Sequence, residues 1–410
     1  MIDYGVKNSM QIKFGNIVLL ENTQNMGIKI LAFYFIIYPI MIIFKEHIKY
    51  WYFIFGIPFS MFIFIYVYGK KISRNKFLGV MGIFLIYSLF SLMTGYMDKY
   101  IYNWMGMFLI LFIYCFPWFI LTLVENEWLY FTDIICGKTI LMFLTTLILY
   151  AHDLIMGVSM NGNMQFSYAA MPVIIFSLYD FFEKKHIYQL IISIILFIMI
   201  VLFGSRGPLI CIMFFLLLYF MKNRKKQLPI IMILSFTMFV LISNYERIIK
   251  VIAIVLDKYS ISSRTIYKLM SGTITSNTGR DKIQDIVIQL ISQKFLTGIG
   301  IGGERIVINK EIYNMTKNMG ACYPHNIILE VLVQYGILIG GTLIIWFVAK
   351  CIMVYVGNSN KRNALIILIS ISIVHLMVSS SYLEEPMFFA LLGMIMNTSS
   401  PHNNQQYTTS

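Results

Sequence analysis

The sequence predicts an all-α polytopic membrane protein with about twelve transmembrane helices. Of its 410 residues, 59% are apolar and only 12% are charged, whereas soluble domains carry roughly 25% charged residues. One spanning helix needs about 20 predominantly apolar residues, so this composition leaves little chain for a soluble domain. Composition therefore excludes a doubly wound nucleotide-binding domain, a disulfide-stapled secreted fold and a disordered tail protein.

The apolar runs divide the chain into spans and loops. The predicted spans are 28–44, 50–69, 77–96, 102–124, 137–157, 167–182, 187–204, 207–221, 228–244, 326–349, 363–381 and 385–396. Nine of them fall within residues 1–244 and three within 326–396, with a long loop over 245–325 and a disordered tail over 397–410. Because the first 27 residues lack a cleavage pattern, the first span is expected to act as its own insertion signal.

Basic clusters predict the orientation of the spans. They follow the second, sixth, eighth and tenth spans, and all four therefore lie on one side of the membrane. The clusters are Lys70, Lys71, Arg74 and Lys76; Lys184 and Lys185; Lys222, Arg224, Lys225 and Lys226; and Lys361 and Arg362. The positive-inside rule places this side and both termini in the cytoplasm, and the loop over 245–325 outside it. The net charge of +13 is thus assigned to topology and anionic lipid rather than to nucleic acid.

The cysteines predict neither a disulfide framework nor a metal site. Cys115, Cys136, Cys211 and Cys351 lie in or beside apolar segments, which leaves Cys322 as the one expected in an aqueous setting. No paired-histidine, HExxH or Cys/His spacing suggests a metal ligand set. We expect no metal and no cofactor.

The long outer loop contains local order and is where chemistry is expected, since loops of this length are usually functional. Apolar residues recur at helical spacing over about 280–296, which predicts an amphipathic helix lying on the membrane surface. They are Ile283, Ile286, Val287, Leu290 and Ile291. The following run Gly298–Gly303 satisfies G-x-G-x-x-G, but it follows a helix rather than a strand, so we interpret it as a tight turn.

A first candidate site is Arg206 at the junction of the seventh and eighth spans. It lies in Gly204-Ser205-Arg206-Gly207, with almost no loop to solvate its charge. Charges placed in this way are costly and usually functional. The flanking glycines permit a turn that would aim the planar guanidinium at phosphate oxygens. The alternative is an interfacial arginine whose side chain reaches the lipid headgroups.

A second candidate is Arg280, which opens the amphipathic helix after Gly279, with Arg264 further upstream. The backbone amides and the dipole at a helix N-terminus favour anions, and an arginine adds a full positive charge. The alternative is a solvated surface arginine.

The third candidate is His325, which follows Pro324 at the start of the tenth span. A neutral imidazole can accept the proton of a sugar hydroxyl, as a general base does. The alternatives are a headgroup contact and a helix cap, and His152 and His375 are rival histidines. The acidic pair Glu384–Glu385 could bind substrate or could mark the membrane boundary.

In this order, the clusters resemble the O-antigen polymerase and ligase superfamily, membrane enzymes that handle polysaccharide repeat units carried on undecaprenyl pyrophosphate. The resemblance covers about residues 200–345. It is carried by Gly204–Gly207, Thr278–Arg280, Thr297–Gly303, Pro324–Asn326, Glu330 and Gly336. The chain looks most like a Wzy-type polymerase for O-antigen, capsule or a related polymer.

The resemblance implies a GT-C-like helical fold and a metal-independent inverting glycosyltransferase of the bacterial cytoplasmic (inner) membrane, with its active site facing outward. Donor and acceptor would both be undecaprenyl-pyrophosphate-linked oligosaccharides, and a flippase and a chain-length regulator of the same pathway would be partners. His325 would be the catalytic base, and Arg206, Arg280 and Arg264 would bind the pyrophosphate. The supporting residues would be Gly204, Ser205, Gly207, Gly279, Asn326 and Glu330.

Two alternatives stay open at the level of sequence. A ligase would transfer the glycan to a lipid or protein acceptor, and it shares these motifs. A transporter of lipid-linked oligosaccharide would instead need polar residues along a path at mid-membrane depth. The candidate arginines cluster at the outer end of the spans, which favours chemistry at one face.

Overall fold

A computed structural model describes most of the helical part of the chain. The described residues are 13–14, 17–18, 25–48, 51–69, 110–156, 164–203, 205, 207–222, 280–316, 323–357 and 359–397. Apart from a two-residue antiparallel pair, β1 (Lys13–Phe14) and β2 (Ile17–Val18), the regular structure in these ranges is helical. The predicted all-helical membrane class is therefore confirmed for this part of the chain.

The first half of the chain supplies most of the bundle. Its helices are α1 (Met26–His47), α2 (Trp51–Gly69), a π-helical turn (Ile110–Cys115) leading into α3 (Phe116–Val124), a 3₁₀ turn (Trp128–Tyr130), α4 (Phe131–Cys136), α5 (Thr139–Ile155), α6 (Met164–Lys184), α7 (Ile187–Phe203) and α8 (Gly207–Lys222). The chain bends by 115° between the helical segments that end at Val124 and begin at Trp128.

The remaining helices carry the outer-loop segment and the C-terminal part of the bundle. They are α9 (Arg280–Gln293), α10 (Gly303–Thr316), α11 (Ile327–Gly357), α12 (Ser359–Leu368), a π-helical turn (Ile369–Ile373), α13 (Val374–Val378), a 3₁₀ turn (Tyr382–Glu384) and α14 (Pro386–Met396). The short α14 lies along α3, where Gly393 faces Thr122 and the Phe119 carbonyl so closely that a methyl group would overlap both. Small residues allow such close packing between membrane helices.

Three described segments are long and apolar enough to cross a membrane: Met26–Lys45, Ile327–Gly357 and Asn360–Val378. The bent pair around Val124 is a fourth if it forms one broken span. Shorter apolar helices coincide with other predicted spans, and the predicted spans 77–96 and 228–244 lie outside the described residues. The number twelve stays a prediction.

Basic clusters from different spans meet at one end of the bundle. The Lys222 ammonium contacts Glu183 Oε1 at 3.2 Å, and Glu183 precedes Lys184 in the chain. The same ammonium contacts Asn363 Oδ1 at 2.7 Å, and Asn363 follows Arg362. The clusters after the sixth, eighth and tenth predicted spans therefore share one end, whereas Lys70–Lys76 lies outside the described residues. That this end faces the cytoplasm stays a prediction.

The amphipathic helix of the predicted outer loop is present as α9. Ile283, Val287 and Leu290 are buried in a small apolar cluster with residues of α10 and α11, and Ile286 and Ile291 pack against it. The face predicted to lie on lipid therefore packs largely on the protein itself, while Ile288 stays exposed. Amphipathic periodicity identifies the buried face of a helix but not the surface that covers it.

The glycine-rich run after α9 forms a tight turn that docks on a break in α11. Gly298, Gly300 and Gly302 have positive φ angles, as does Gly336, where α11 is kinked. The kink releases backbone groups, and the turn pairs with them: Ile299 N donates to Val333 O at 2.9 Å and Gly300 N to Gln334 O at 3.0 Å. The turn interpretation is confirmed.

We expect Gly298→Ala and Gly336→Ala each to destabilise the fold by about 2–6 kcal/mol, from a left-handed backbone combined with overpacking. The new methyl group would overlap the Gln334 carbonyl in the first variant and the Leu296 carbonyl in the second. Thermal unfolding in detergent measures the loss. Gly341→Ala is the matched control in the same helix, because its nearest contact would be at 4.0 Å. Unchanged unfolding temperatures in both variants would contradict the docked turn.

Candidate active site

His325 lies in a short connection that leads directly into α11. Its backbone φ is 54°, a left-handed conformation that is uncommon for residues other than glycine. The next residue, Asn326, caps the helix: its Oδ1 accepts from Ile328 N at 2.9 Å and from Leu329 N at 3.3 Å. The cap fixes where α11 begins and so fixes the backbone beside the histidine.

The imidazole of His325 is neutral at neutral pH. Burial and the positive charge of Arg280 lower the pKa of His325 to about 4. Its Nδ1 is buried and forms no hydrogen bond to any residue that the structure describes. A neutral imidazole can accept a proton on a ring nitrogen, so the group has the chemistry expected of a base.

Arg280 begins α9 and reaches across to the C-terminal part of the bundle. Its Nη1 donates to the carbonyl of Val378, the last residue of α13, at 2.8 Å. Because a guanidinium carries five N–H donors, this bond anchors the side chain and leaves donors for an anion. The structure thus brings two predicted site residues, Arg280 and His325, within electrostatic reach of each other.

The junction between α7 and α8 packs against α6 at Ser205 and Gly207. Ser205 N donates to Ser167 Oγ at 2.9 Å. Gly207 lies so close to the Tyr168 hydroxyl that any side chain at this position would overlap it. Tyr168 in turn forms a hydrogen bond with Ser379. It also lies close enough to Arg280 to interact with the positive charge of the guanidinium. These contacts connect the junction to the Arg280 region through Tyr168.

Four of the predicted site residues lie outside the described residues: Gly204, Arg206, Arg264 and Gly279. Their assigned roles stay predictions.

Arg305, at the start of α10, is the hub of a partly buried ionic cluster. Its Nη1 pairs with Glu384 Oε1 at 2.7 Å and its Nη2 donates to Ser381 Oγ at 2.7 Å. Oxygens of Glu330 and Glu304 each lie 3.9 Å from the guanidinium. One arginine therefore joins α10, α11 and the turn after α13.

Burial and neighbouring charges have opposite effects on the pKa values of the groups in this cluster. Burial lowers the pKa of Arg305, but the three surrounding carboxylates raise it above its usual value, so it stays charged. Burial would raise the pKa of Glu384, but the Arg305 guanidinium holds it below its usual value. For Glu304, burial dominates and the pKa is raised. The cluster is held together by one charge shared among several acceptors.

Glu330 is fully buried in this cluster. Its carboxylate accepts from the Ser381 hydroxyl and, at 3.4 Å, from Tyr382 N. One turn further along α11, Gln334 donates to Glu304 Oε1 at 2.8 Å and accepts from the Tyr382 hydroxyl. Glu330 thus contacts the ionic cluster as a structural acceptor.

Residues 191–345 match the family model described as "Wzy_C: O-Antigen ligase". This part of the chain is similar to the O-antigen polymerase and ligase superfamily. This match indicates a glycosyl-transferring membrane enzyme. No curated protein matches the chain.

The matched segment does not contain the whole site. Val378 lies beyond its C-terminal limit and bonds Arg280. Ser381 and Glu384 also lie beyond that limit, and both bond Arg305. Tyr168 lies before the start of the segment and contacts the junction at Gly207. The sequence signal for Glu384 was its position at the outer end of the last predicted span. Arg305 carries no separate sequence signal, because it lies within the helix after the glycine turn.

The two rival histidines are engaged elsewhere. His152 Nε2 lies 3.1 Å from His47 Nε2, and its Nδ1 lies 3.3 Å from Asp153 Oδ1. His375 stacks on Tyr168 with ring centroids 4.0 Å apart, and its Nδ1 lies 3.4 Å from Glu385. Both have partners on their ring nitrogens, unlike the buried Nδ1 of His325.

Proposed function

We propose that the protein is a polysaccharide polymerase that joins undecaprenyl-pyrophosphate-linked oligosaccharide repeat units at the outer face of the bacterial cytoplasmic membrane. The observation that carries this proposal is that a neutral His325, whose buried Nδ1 has no partner among the described residues, lies within electrostatic reach of Arg280, inside the segment that matches the O-antigen family. A base beside a cation suits attack by a hydroxyl on a carbon that carries an anionic leaving group.

The proposed step is a single displacement. The acceptor hydroxyl oxygen attacks the anomeric carbon of the donor glycan, and its proton passes to His325. The bond between the anomeric carbon and the pyrophosphate oxygen breaks, and that oxygen keeps the electron pair. Arg280, together with Arg206 and Arg264, would stabilise the negative charge that develops on the lipid pyrophosphate, a preorganised electrostatic role. Displacement from the opposite side inverts the configuration at this carbon.

The anchoring of Arg280 supports this assignment. A guanidinium already fixed by the Val378 carbonyl loses little conformational freedom when it meets a phosphate. In the separate cluster, Arg305 is already bonded to Glu384 and Ser381, and two further acidic side chains lie 3.9 Å away, so this arginine is a poorer pyrophosphate site. The donor anion is therefore assigned to the Arg280 side of His325.

The second candidate is a ligase that transfers the glycan to a lipid or protein acceptor. The description of the matching family favours it, since that description names an O-antigen ligase. Both reactions use the same donor, base and leaving group, and they differ in the acceptor alone.

Reconstitution in liposomes distinguishes the candidates. Purified protein and lipid-linked repeat unit, without added metal or nucleotide sugar, should give a ladder of increasing repeats on a gel. Single repeats that stay unchanged until a lipid or protein acceptor is added, and are then transferred to that acceptor, would identify the ligase. If no transfer occurs and labelled oligosaccharide crosses the bilayer instead, the protein is a transporter and the proposal is wrong.

A further inference from the structure

We infer that Arg305 and Tyr323 form a positioning device that holds the His325 ring in its working orientation. This inference rests on the proposed function, in which His325 is the base. A catalytic histidine is usually oriented by a hydrogen bond on its second ring nitrogen. Here the buried Nδ1 has no such partner among the described residues, which supply a ring contact instead.

That contact is the ring of Tyr323. The centroids of Tyr323 and His325 lie 4.2 Å apart, with an angle of 53° between the planes. Burial raises the pKa of Tyr323, so its phenol stays neutral beside the imidazole. The left-handed backbone of His325 adds to the need for support, because such conformations persist only where the surroundings hold them.

Tyr323 is held in turn by Arg305. The guanidinium carbon lies 5.8 Å from the centre of the tyrosine ring, within the range of a cation–π contact. Arg305 itself is fixed by Glu384, Ser381 and the neighbouring carboxylates. Contacts therefore run without a gap from the turn after α13, through Arg305 and Tyr323, to the imidazole.

The device acts through geometry rather than charge. Arg280 lowers the pKa of His325, whereas the charge of Arg305 is balanced by its carboxylates and has no part in that shift. Replacement of Arg305 by lysine, which leaves the Tyr323 ring present to cover His325, should therefore lower the catalytic rate without moving the acid limb of the pH profile. This separates Arg305 from Arg280, whose loss should move that limb.

The first test is Arg305→Lys, which keeps the charge but cannot bond Glu384 and Ser381 through two separate nitrogens. We expect kcat to fall on the order of 10²-fold, the scale set by a small misplacement of a reacting group, with KM unchanged. Arg362→Lys is the matched control, because Arg362 lies 5.7 Å from the Tyr355 ring and bonds backbone carbonyls nearby. Normal kcat in Arg305→Lys, or a loss confined to KM, would overturn the inference.

Tyr323 provides a second test that leaves the ionic cluster intact. Tyr323→Phe keeps the ring and should keep near-normal kcat, whereas Tyr323→Ala should lose activity as Arg305→Lys does. The double variant Arg305→Lys/Tyr323→Ala should lose no more than either single variant, because the two residues act in one chain of contacts. Normal kcat in Tyr323→Ala, or fully additive losses, would overturn the inference even if Arg305→Lys fails to fold.

A third readout does not need glycosyl transfer. Diethyl pyrocarbonate modifies accessible neutral imidazoles, and mass spectrometry of the peptide that contains His325 measures the rate. We expect faster modification in Tyr323→Ala than in Tyr323→Phe or the wild type. Equal rates would show that the ring needs no such support. This result separates failure of the positioning role from failure of the proposed reaction, which the His325→Ala variant tests.

Discussion

Replacement of His325 by alanine should reduce polymer formation by about 10²–10⁴-fold, the usual contribution of a general base. The side chain is the described imidazole that combines a buried, unpaired Nδ1 with a position beside Arg280. Initial rates of repeat-unit consumption in liposomes, at equal protein level, measure the effect. A rate within a few-fold of the wild type would remove the assignment.

His152→Ala is the matched control for this variant. His152 is bonded to His47 and Asp153, away from the residues of the proposed site, so its loss should leave the rate near that of the wild type. A comparable loss in both variants would indicate a general effect on the fold. Thermal unfolding of each variant separates that outcome from a catalytic one.

The pH profile gives an independent test of the same residue. A base works only while neutral, so activity falls as pH drops through its pKa. Burial and Arg280 lower the pKa of His325 to about 4, and kcat/KM should therefore hold at mildly acidic pH and fall near that value. Bound pyrophosphate would offset the charge of Arg280 and raise this pKa, so the acid limb of kcat should lie at higher pH than that of kcat/KM. Coincident limbs would argue against a base beside the anion.

Much of the fold was accessible from the sequence because apolar length and helical spacing report directly on burial. The helices Met26–His47 and Arg280–Gln293 begin and end close to their predicted limits. The turn at Gly298 was also predictable, since a glycine-rich run after a helix has few other uses. What covers the apolar face of α9 was not, because periodicity gives a direction and not a partner.

The candidate site was predictable only in part for a physical reason. His325 stood out because it lies at the start of a predicted span, and Arg280 stood out because it opens the predicted amphipathic helix. Arg305 and Ser381 are recognised as site residues only from the hydrogen bond between them. They are 76 residues apart in the chain, and no local sequence pattern encodes such a contact. Contacts of this kind depend on how α10 and the turn after α13 meet, and that is settled by packing of the whole bundle.

Loss of Arg280 should have the second largest effect on catalysis. Arg280→Ala should lower kcat by about 10²–10³-fold, the scale for removal of one preorganised donor to a developing anion. It should also raise the pKa of His325, because one of its two lowering causes is removed. Burial, the larger cause, remains, so the acid limb should move to higher pH but stay below the ordinary value for histidine.

Arg280→Lys separates charge from geometry in this effect. Lysine keeps the positive charge near His325, so the acid limb should stay close to that of the wild type. It cannot bond the Val378 carbonyl and a phosphate with the planar guanidinium fork, so activity should remain well below normal. Lys282→Ala is the control, because this exposed cation lies on the same helix and should be dispensable. An Arg280→Lys variant with full activity would reduce the role of Arg280 to a generic positive charge. If Lys282→Ala lost as much activity as Arg280→Lys, the positive surface of α9 would instead be attracting the anionic substrate as a whole.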